Sequence, residues 1–457
     1  MKALLINSPS VRRKIVRDMA GGLGFDGHEE TCLPPLDLMY YAATLSHVGF
    51  DVSLLDADAE NLSVADVLAR AKSLAPDRIV ATLSLPTLRD DAAFIRRLRA
   101  DTGAMVFVKT GIRYPSLLRE ILVQSSADVV VHGECDLIID QILRRERNYG
   151  TAFLHGEELI IKEETLLDEL DRLPNPARNL INSDLYSYQL LGRPATSMQT
   201  SRGCPFPCAY YCPYPLVQGN RWRARSAEQV VREIEEIVST TPVRKILFRD
   251  ATFTLDRDRA LKIAALIQER NLQIEWWCET RLNCVDRELL QAMRQAGLRG
   301  MNVGVETGDP AIMTTRAKAG VTIERVREIR EAARMLRIKM HFLLMTGLPG
   351  ETKRSLFQTF RLVVRTMPDS VGVTTVTPYP GTPLYEEALK RGWIKGGDWS
   401  RFGGHQGVMR TDLLAKTDLL IAQRLILRGH ALLSRGTLLG RTAAKALEGL
   451  FCAWSRL

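Results

Sequence analysis

The sequence predicts an α/β protein: a doubly wound parallel domain, then a partial (β/α)6 barrel, then a C-terminal helical segment. Three observations predict it. Short apolar runs alternate with amphipathic helical runs over residues 1–145. The alternation resumes at Thr196 and yields six further strand–helix units, whose site is expected at the strands' C-terminal ends. Residues 401–457 keep helical periodicity and lose the strands. The expected organisation is therefore 1–145, a linker over 146–195, a barrel over 196–400, and helices over 401–457.

KALLINSP is an apolar run closed by Ser-Pro, hence a strand and a loop, and the glycine-rich stretch from Arg17 to Pro35 is irregular. LDLMYYAATLSHVGF is a helix ending near Gly49. DVSLLDAD, DRIVATLS, AMVFVKTG and DVVVHGE are strands. SVADVLARAKSLAP, TLRDDAAFIRRLRADTG and PSLLREILVQSSA are the helices between them. Ligands on such sheets lie at the carboxyl ends of the strands. That singles out Asn7–Ser10, Asp56–Asp58, Ser84–Thr87, Thr110–Tyr114 and His132–Asp136. In the linker, LPNPARNLI carries two prolines and reads as a surface crossing. Beyond it, TSMQTSRG, KILFRD, QIEWWCET, GMNVGVE, KMHFLLMTG and SVGVTTVTP are strands, and SAEQVVREIEEIVST and DRELLQAMRQAG are typical of the helices between.

The composition of the 457 residues, 46% hydrophobic and 25% charged, excludes disorder, collagen and coiled coil as the main character. No stretch reaches the roughly 18–20 apolar residues of a membrane span. MKALLINSPS is interrupted too soon for a secretory signal, so the cytoplasm is the expected address. The net charge of +9 permits anionic partners and specifies none. No nucleic-acid-binding pattern is present, so nucleic acid is not expected as a partner.

Three of the eight cysteines, Cys204, Cys208 and Cys212, fall in TSRGCPFPCAYYCPYP, on a loop after a predicted strand. Three thiolates can hold three irons of a cubane and leave the fourth open. Structural zinc would ask for a fourth ligand and a second knuckle, which are not evident nearby. Cys278 and Cys284 read as core or loop thiols, and Trp276 and Trp277 as packing. Asp250, Glu279, Arg281 and Glu306 stand at successive strand ends, and Gly347, Gly350 and Glu351 form a strand-to-helix turn.

This cysteine loop resembles that of the radical S-adenosylmethionine enzymes. Their usual motif is C-x3-C-x2-C with an aromatic residue before the last cysteine. Here it is C-x3-C-x3-C, with Tyr211 before Cys212. The likeness extends over roughly residues 196–390, through FRDATFTLD, WWCETRLN, GMNVGVETGDP, MTGLPGET and TPYPGTPLYE. It implies a [4Fe-4S] cluster on Cys204, Cys208 and Cys212, and reductive cleavage of S-adenosylmethionine to a 5′-deoxyadenosyl radical. It implies contacts to that cosubstrate from Asp250, Glu279, Arg281, Glu306, Gly347 and Glu351, and a reductant such as flavodoxin or ferredoxin.

The first domain resembles that of the cobalamin-binding members, through PPLDLMYYAATLSHVGFDVSLLDAD and VVVHGECD. D-x-H-x-x-G, which supplies a histidine beneath cobalt in many cobalamin proteins, is absent, and His47 reads as a helix-end surface residue. Ser84, Thr87, Gly111 and Glu134 are the expected cobalamin contacts, unless the domain kept the fold and lost the cofactor. The leading reading is a cobalamin-dependent methyltransferase acting on an unactivated carbon of a small molecule, a natural-product intermediate or a lipid-like substrate, with Tyr210, Tyr211 and Tyr214 as candidate lining. The alternatives are an oxidative cyclase or ring-rearranging enzyme without methyl transfer, and a non-catalytic metal-binding scaffold. Residues 412–457 carry seven basic and three acidic side chains. A helix pair packed on the barrel is the first reading, and an interfacial helix that makes the protein peripheral to a membrane is the second.

Overall fold

A computed structural model describes residues 1–17, 22–163 and 166–456. The chain divides into two compact units, residues 1–204 with 213–247, and residues 205–212 with 248–457.

The first unit is built on β1 (Lys2–Asn7), with a small hairpin β2 (Ile15–Val16) and β3 (Phe25–Asp26) after it. Then follow α1 (Leu36–His47), β4 (Asp51–Asp56), α2 (Val64–Leu74), β5 (Arg78–Thr82), α3 (Leu88–Thr102), β6 (Met105–Lys109), α4 (Pro115–Ser125), β7 (Val129–Val131) and α5 (Ile139–Leu143). Every strand and helix expected over residues 1–145 is found. Two strands come in addition, β8 (Thr151–His155) and β9 (Glu158–Ile161), in the interval expected to be linker. They form a hairpin about Gly156, whose φ of 60° suits a tight turn, and they run antiparallel on β7. The seven-stranded sheet, β4-β1-β5-β6-β7-β8-β9, is thus mixed: five parallel strands and an antiparallel edge. Its order reverses at β1, between β4 and β5, so the crevice of a doubly wound sheet lies there. Leu5, Val80, Phe107 and Val131 from the strands close the core with Leu38, Met39, Leu45 and Ile142 from α1 and α5. Later come β10 (Ala195–Met198), the short antiparallel pair β11 (Ser201–Arg202) and β12 (Arg223–Ala224), α6 (Tyr214–Gln218), α7 (Ala227–Thr240) and β13 (Lys245–Phe248), whose last residue belongs to the second unit.

In the second unit α8 (Arg257–Glu269), β14 (Glu275–Thr280), α9 (Arg287–Gln295), β15 (Leu298–Glu306), α10 (Pro310–Ile312), α11 (Ile323–Met335), β16 (Lys339–Thr346), α12 (Lys353–Thr366), β17 (Ser370–Thr375) and α13 (Pro383–Lys390) follow in order. The second sheet has six strands in the order β10-β13-β14-β15-β16-β17. From β14 to β17 all neighbours are parallel. Helices start where a side chain can take an orphan N–H: Asp256 opens α8, Asp286 α9, Thr322 α11 and Thr352 α12. The C-terminal segment is α14 (Lys416–Ser434) and α15 (Leu438–Trp454), broken at Gly436, whose φ is 69°. Leu419, Ala422 and Ile426 of α14 are buried, and Gln423 donates to the Val373 carbonyl at 2.6 Å. Packing, the first reading for this segment, is therefore what α14 does.

Candidate functional site

The cysteine loop explains its unusual spacing. Pro207–Tyr210 is a short 3-10 turn, and the Cys212 N–H donates to the Cys208 carbonyl at 2.9 Å. Three intervening residues make an i,i+4 pair, so one helical turn sets both side chains on the same side of the loop. The additional residue relative to the usual motif is absorbed by the turn. Cys204 is held separately. Its N–H donates to the Gly219 carbonyl at 3.1 Å, and Gly203 before it takes φ 82°, where a Cβ would lie 2.1 Å from the Arg221 carbonyl oxygen. Cys204 and Cys208 are buried and Cys212 half-buried. Among the described residues no three His, Cys, Asp or Glu converge closely enough for a single metal ion. A cubane needs a different donor set: three thiolates, each on its own iron.

In the second unit, charged side chains gather around Cys208 and Cys212. Arg281 lies 3.9 Å from Cys208 Sγ through Nη1, stacks 3.8 Å from the Phe206 ring centroid and donates to the Ala319 carbonyl at 2.9 Å. Glu306 ends β15 with φ 66°, a conformation rarely taken by a residue with a Cβ. Its Oε1 is 3.1 Å from Lys318 Nζ. Burial opposes the charge of Lys318, yet Glu306 and then Cys208 outweigh it, and the ammonium is held above the usual lysine range. A side chain at Gly304 would stand 2.5 Å from both Glu306 Oε1 and Lys318 Nζ, so the bare backbone there leaves the pair its room. Tyr211 donates to the Ala317 carbonyl at 3.2 Å, on the same segment as Lys318. Its phenol is pushed far up by burial, then by Glu306 and the Cys208 and Cys212 sulfurs.

Asp250 is buried, and with Glu279 it adds to the burial that pushes the Cys278 thiol up. Glu279, Asn302, His341 and Ser370 stand in register across β14 to β17, and so share a face of the sheet. Trp277 donates to Asn302 at 2.7 Å and Trp276 to the Ala296 carbonyl at 2.7 Å; both indoles are buried. Glu351 turns inward and accepts from the Gly347 and Leu348 N–H groups at 2.7 and 3.1 Å. Burial pushes its carboxyl up to about 7, against those backbone bonds. Gly347 has φ 99°, and a Cβ there would meet Leu419 of α14 at 2.8 Å. Tyr210 donates to Glu387 at 2.5 Å. Tyr214 opens α6 in the first unit. Cys284 is half-buried in a 3-10 turn.

In the first unit a cleft opens at the carboxyl ends of β1, β4, β5 and β6, lined by Asn7, Asp56, Thr82, Lys109 and Gly111 together with Lys14 to Arg17. Gly111 donates to the Gly22 carbonyl at 2.9 Å. Asp56 accepts from Asn7 at 2.8 Å and from Tyr186 at 3.0 Å, and burial pushes it up to about 6. Arg17 bridges Asp58 at 3.0 Å and Asp91 at 2.9 Å. Asp91 also accepts from the Ser84 N–H at 3.1 Å and from the Thr87 hydroxyl at 2.5 Å, so those two residues belong to the buried network of Arg17. Glu134 forms a fork with Arg223 at 2.6 and 2.7 Å. His47 is exposed in the last turn of α1. Amide and carboxylate acceptors beside a lysine and a bare glycine backbone suit a ligand rimmed by amide groups, such as a corrinoid. His132, at the end of β7, is buried with no hydrogen-bond partner on either ring nitrogen, and burial, then Arg113, pushes it down to about 4.

Sequence reading overlooked Lys318, Arg17 and Asp91. Lys318 stands twelve residues beyond Glu306 after a π-helical stretch over Met313–Ala317, and no motif length marks it. Arg17 lies in a stretch read as irregular, and Asp91 inside a helix; both take meaning only from their partners.

Residues 198–363 match the model of the radical SAM superfamily. The chain is 28% identical over 420 residues to an uncharacterised methyltransferase of Pyrococcus horikoshii, across 90% of this chain and 88% of that one. It is 26% identical over 407 residues to the anaerobic magnesium-protoporphyrin IX monomethyl ester cyclase of Cereibacter sphaeroides, across 85% of this chain and 65% of that one. Its fold is similar, at a TM-score of 0.66 and 17% identity, to the radical S-adenosylmethionine methyltransferase TsrM from Kitasatospora setae, solved with cobalamin and a [4Fe-4S] cluster bound; the match covers 85% of this chain and 75% of that one.

Proposed function

Because the region of residues 198–363 belongs to the radical SAM superfamily, we propose that this protein is a cobalamin-dependent radical enzyme that methylates an unactivated carbon of a small-molecule substrate. The observation that carries the proposal is the pairing of a thiolate-bearing turn, Cys208 and Cys212, with buried groups of both signs, Glu306, Lys318 and Arg281. A zwitterionic amino acid chelating an open iron needs just such a set. Glu306 accepts from its ammonium, and Lys318 and Arg281 take its carboxylate. Cys204, Cys208 and Cys212 hold the cluster. Arg281 stabilises negative charge on the Cys208 sulfur. Asp250 and Glu279 are assigned to the ribose, and the turn held by Gly347 and Glu351 to the adenine. In the first unit, Gly111 contacts the corrinoid through bare backbone. Ser84, Thr87 and Glu134 act as positioning residues through Asp91 and Arg223. When bound, the cluster supplies the electron that cleaves S-adenosylmethionine to methionine and a 5′-deoxyadenosyl radical, and cobalamin supplies the methyl group. Trp277, buried and donating to Asn302, stands on the face of the sheet that carries Glu279 and helps keep water from it, and Phe248, Phe253 and Trp276 pack together on the other face.

Anaerobic reconstitution followed by turnover with methyl-labelled S-adenosylmethionine tests the reading. Methylated product in step with S-adenosylhomocysteine and 5′-deoxyadenosine supports it. Protein that takes up neither iron nor sulfide defeats it. The likeness to the cyclase of Cereibacter sphaeroides favours a second reading, oxidation or ring closure. Its mark is 5′-deoxyadenosine without S-adenosylhomocysteine.

A further inference from the structure

We infer that α15 seats the protein on an anionic lipid surface, through a face that takes no part in the chemistry proposed above. One side of this helix is anchored. Gly440, Ala444 and Phe451 are buried, and the Phe451 ring lies 5.5 and 5.3 Å from those of Phe357 and Phe360 on α12. A Cβ at Gly440 would meet the Leu432 carbonyl at 2.4 Å, which shows how closely the start of α15 folds back on α14. The neighbouring side, roughly a third of a turn round the helix, has no such support. Leu439, Ala443, Ala446 and Leu450 follow one another at i, i+4, i+7 and i+11, and all four are exposed. Leu439 is 84% exposed and Leu450 68%, and Leu438, next to the stripe, is 80% exposed.

Charge identifies what covers this stripe. From residue 424 to 457 there are six basic side chains, Arg424, Arg428, Arg435, Arg441, Lys445 and Arg456, against Glu448 alone. Among the described residues none of the six forms an ion pair, whereas Glu448 stands 3.9 Å from Arg361. On the helical wheel, Lys445 stands on the flank of the apolar stripe and Arg441 on the side away from it, the polar face of an interfacial helix, and Arg456 follows the end of α15. A second copy of this chain is the wrong occupant: a two-fold contact sets a patch against itself and would bring together two segments of the same strong positive charge. An acyl surface rimmed by phosphate oxygens satisfies both the leucines and the cations. No helix among the described residues is long and apolar enough to cross a membrane, so the contact is interfacial.

Co-sedimentation of the whole protein with vesicles decides the matter. Vesicles of phosphatidylcholine with an equal part of phosphatidylglycerol are expected to carry the protein down, and raised salt to release it; phosphatidylcholine alone should retain little. Arg441→Gln with Lys445→Gln is expected to lower the partition coefficient about 25-fold, at about fivefold per charge. Leu439→Ser with Leu450→Ser is expected to lower it at least about tenfold. All four positions are exposed, so thermal unfolding should match the parent. Failure to bind the anionic vesicles overturns the inference, as does binding that neither pair of substitutions weakens. A dimer in analytical ultracentrifugation that the leucine variant dissolves overturns it too, because a second copy would then cover the stripe.

Discussion

Glu306 and Lys318 close an ion pair of 3.1 Å at the carboxyl end of β15, with Glu306 in a left-handed backbone conformation. Both are nearly removed from solvent. Removing one partner therefore leaves the other charge buried and alone. Lys318→Met is expected to cost about 3–5 kcal/mol in denaturant unfolding, and Lys318→Met with Glu306→Gln distinctly less. Equal losses in the single and double variants would mean that the two charges do not depend on each other.

Gly203 fixes the entry to the cysteine loop. Gly203→Ala places a methyl 2.1 Å from the Arg221 carbonyl oxygen at a positive φ. It should cost at least about 1 kcal/mol and lower iron incorporation, whereas Gly449→Ala, where a Cβ meets open space in α15, should do neither. Iron and sulfide analysis with unfolding curves reads both effects.

Replacing thiols one at a time separates ligands from core cysteines. Cys204→Ser, Cys208→Ser and Cys212→Ser are expected to abolish the brown, dithionite-bleachable chromophore after anaerobic reconstitution. Cys278→Ser is expected to retain it, since that thiol is buried beside Trp276 and Trp277 in β14. Loss of colour in Cys278→Ser with the fold intact would contradict this division.

Glu351 penalises the folded state at neutral pH. Its folded carboxyl titrates near 7, above the ordinary value of 4.5. Below the ordinary value both states are protonated; as pH rises toward 7 the unfolded chain releases its proton first and stability falls. Glu351→Gln can still accept from the Gly347 and Leu348 N–H groups. It should add roughly 2–3 kcal/mol at pH 8 and nearly nothing at about pH 4. Denaturant melts across that range would expose a gain of the wrong sign.

His132 acts in the opposite window. Its folded value of about 4 lies below the ordinary 6.5, so the unfolded state binds the proton first, and stability is lost as pH falls from 6.5 toward 4. Hydrogen-exchange protection of Val130 and Val131 in β7, corrected for intrinsic rates, should fall over this interval in the parent and fall less in His132→Phe.

Residue order alone determined the two alternating α/β arrays, the strand-end positions of Asp56, Asp250, Glu279 and Glu306, and the cysteine trio, because each is a local pattern of period, breaker or spacing. It also exposed the apolar and basic character of residues 401–457, without deciding which face of those helices is covered. The hairpin β8–β9 escaped it, since the short, partly exposed strands TAFLH and ELII carry weak alternation and take their place from the edge of β7. What tertiary structure decided was partnership. Arg17 finds Asp58 and Asp91 across 41 and 74 residues. Lys318 meets Glu306 across a π-helical detour. Glu351 turns into the molecule instead of outward. Such pairings depend on where the backbone returns through space, and the free energy of a buried charge depends on its neighbours, which no local stretch of residues specifies.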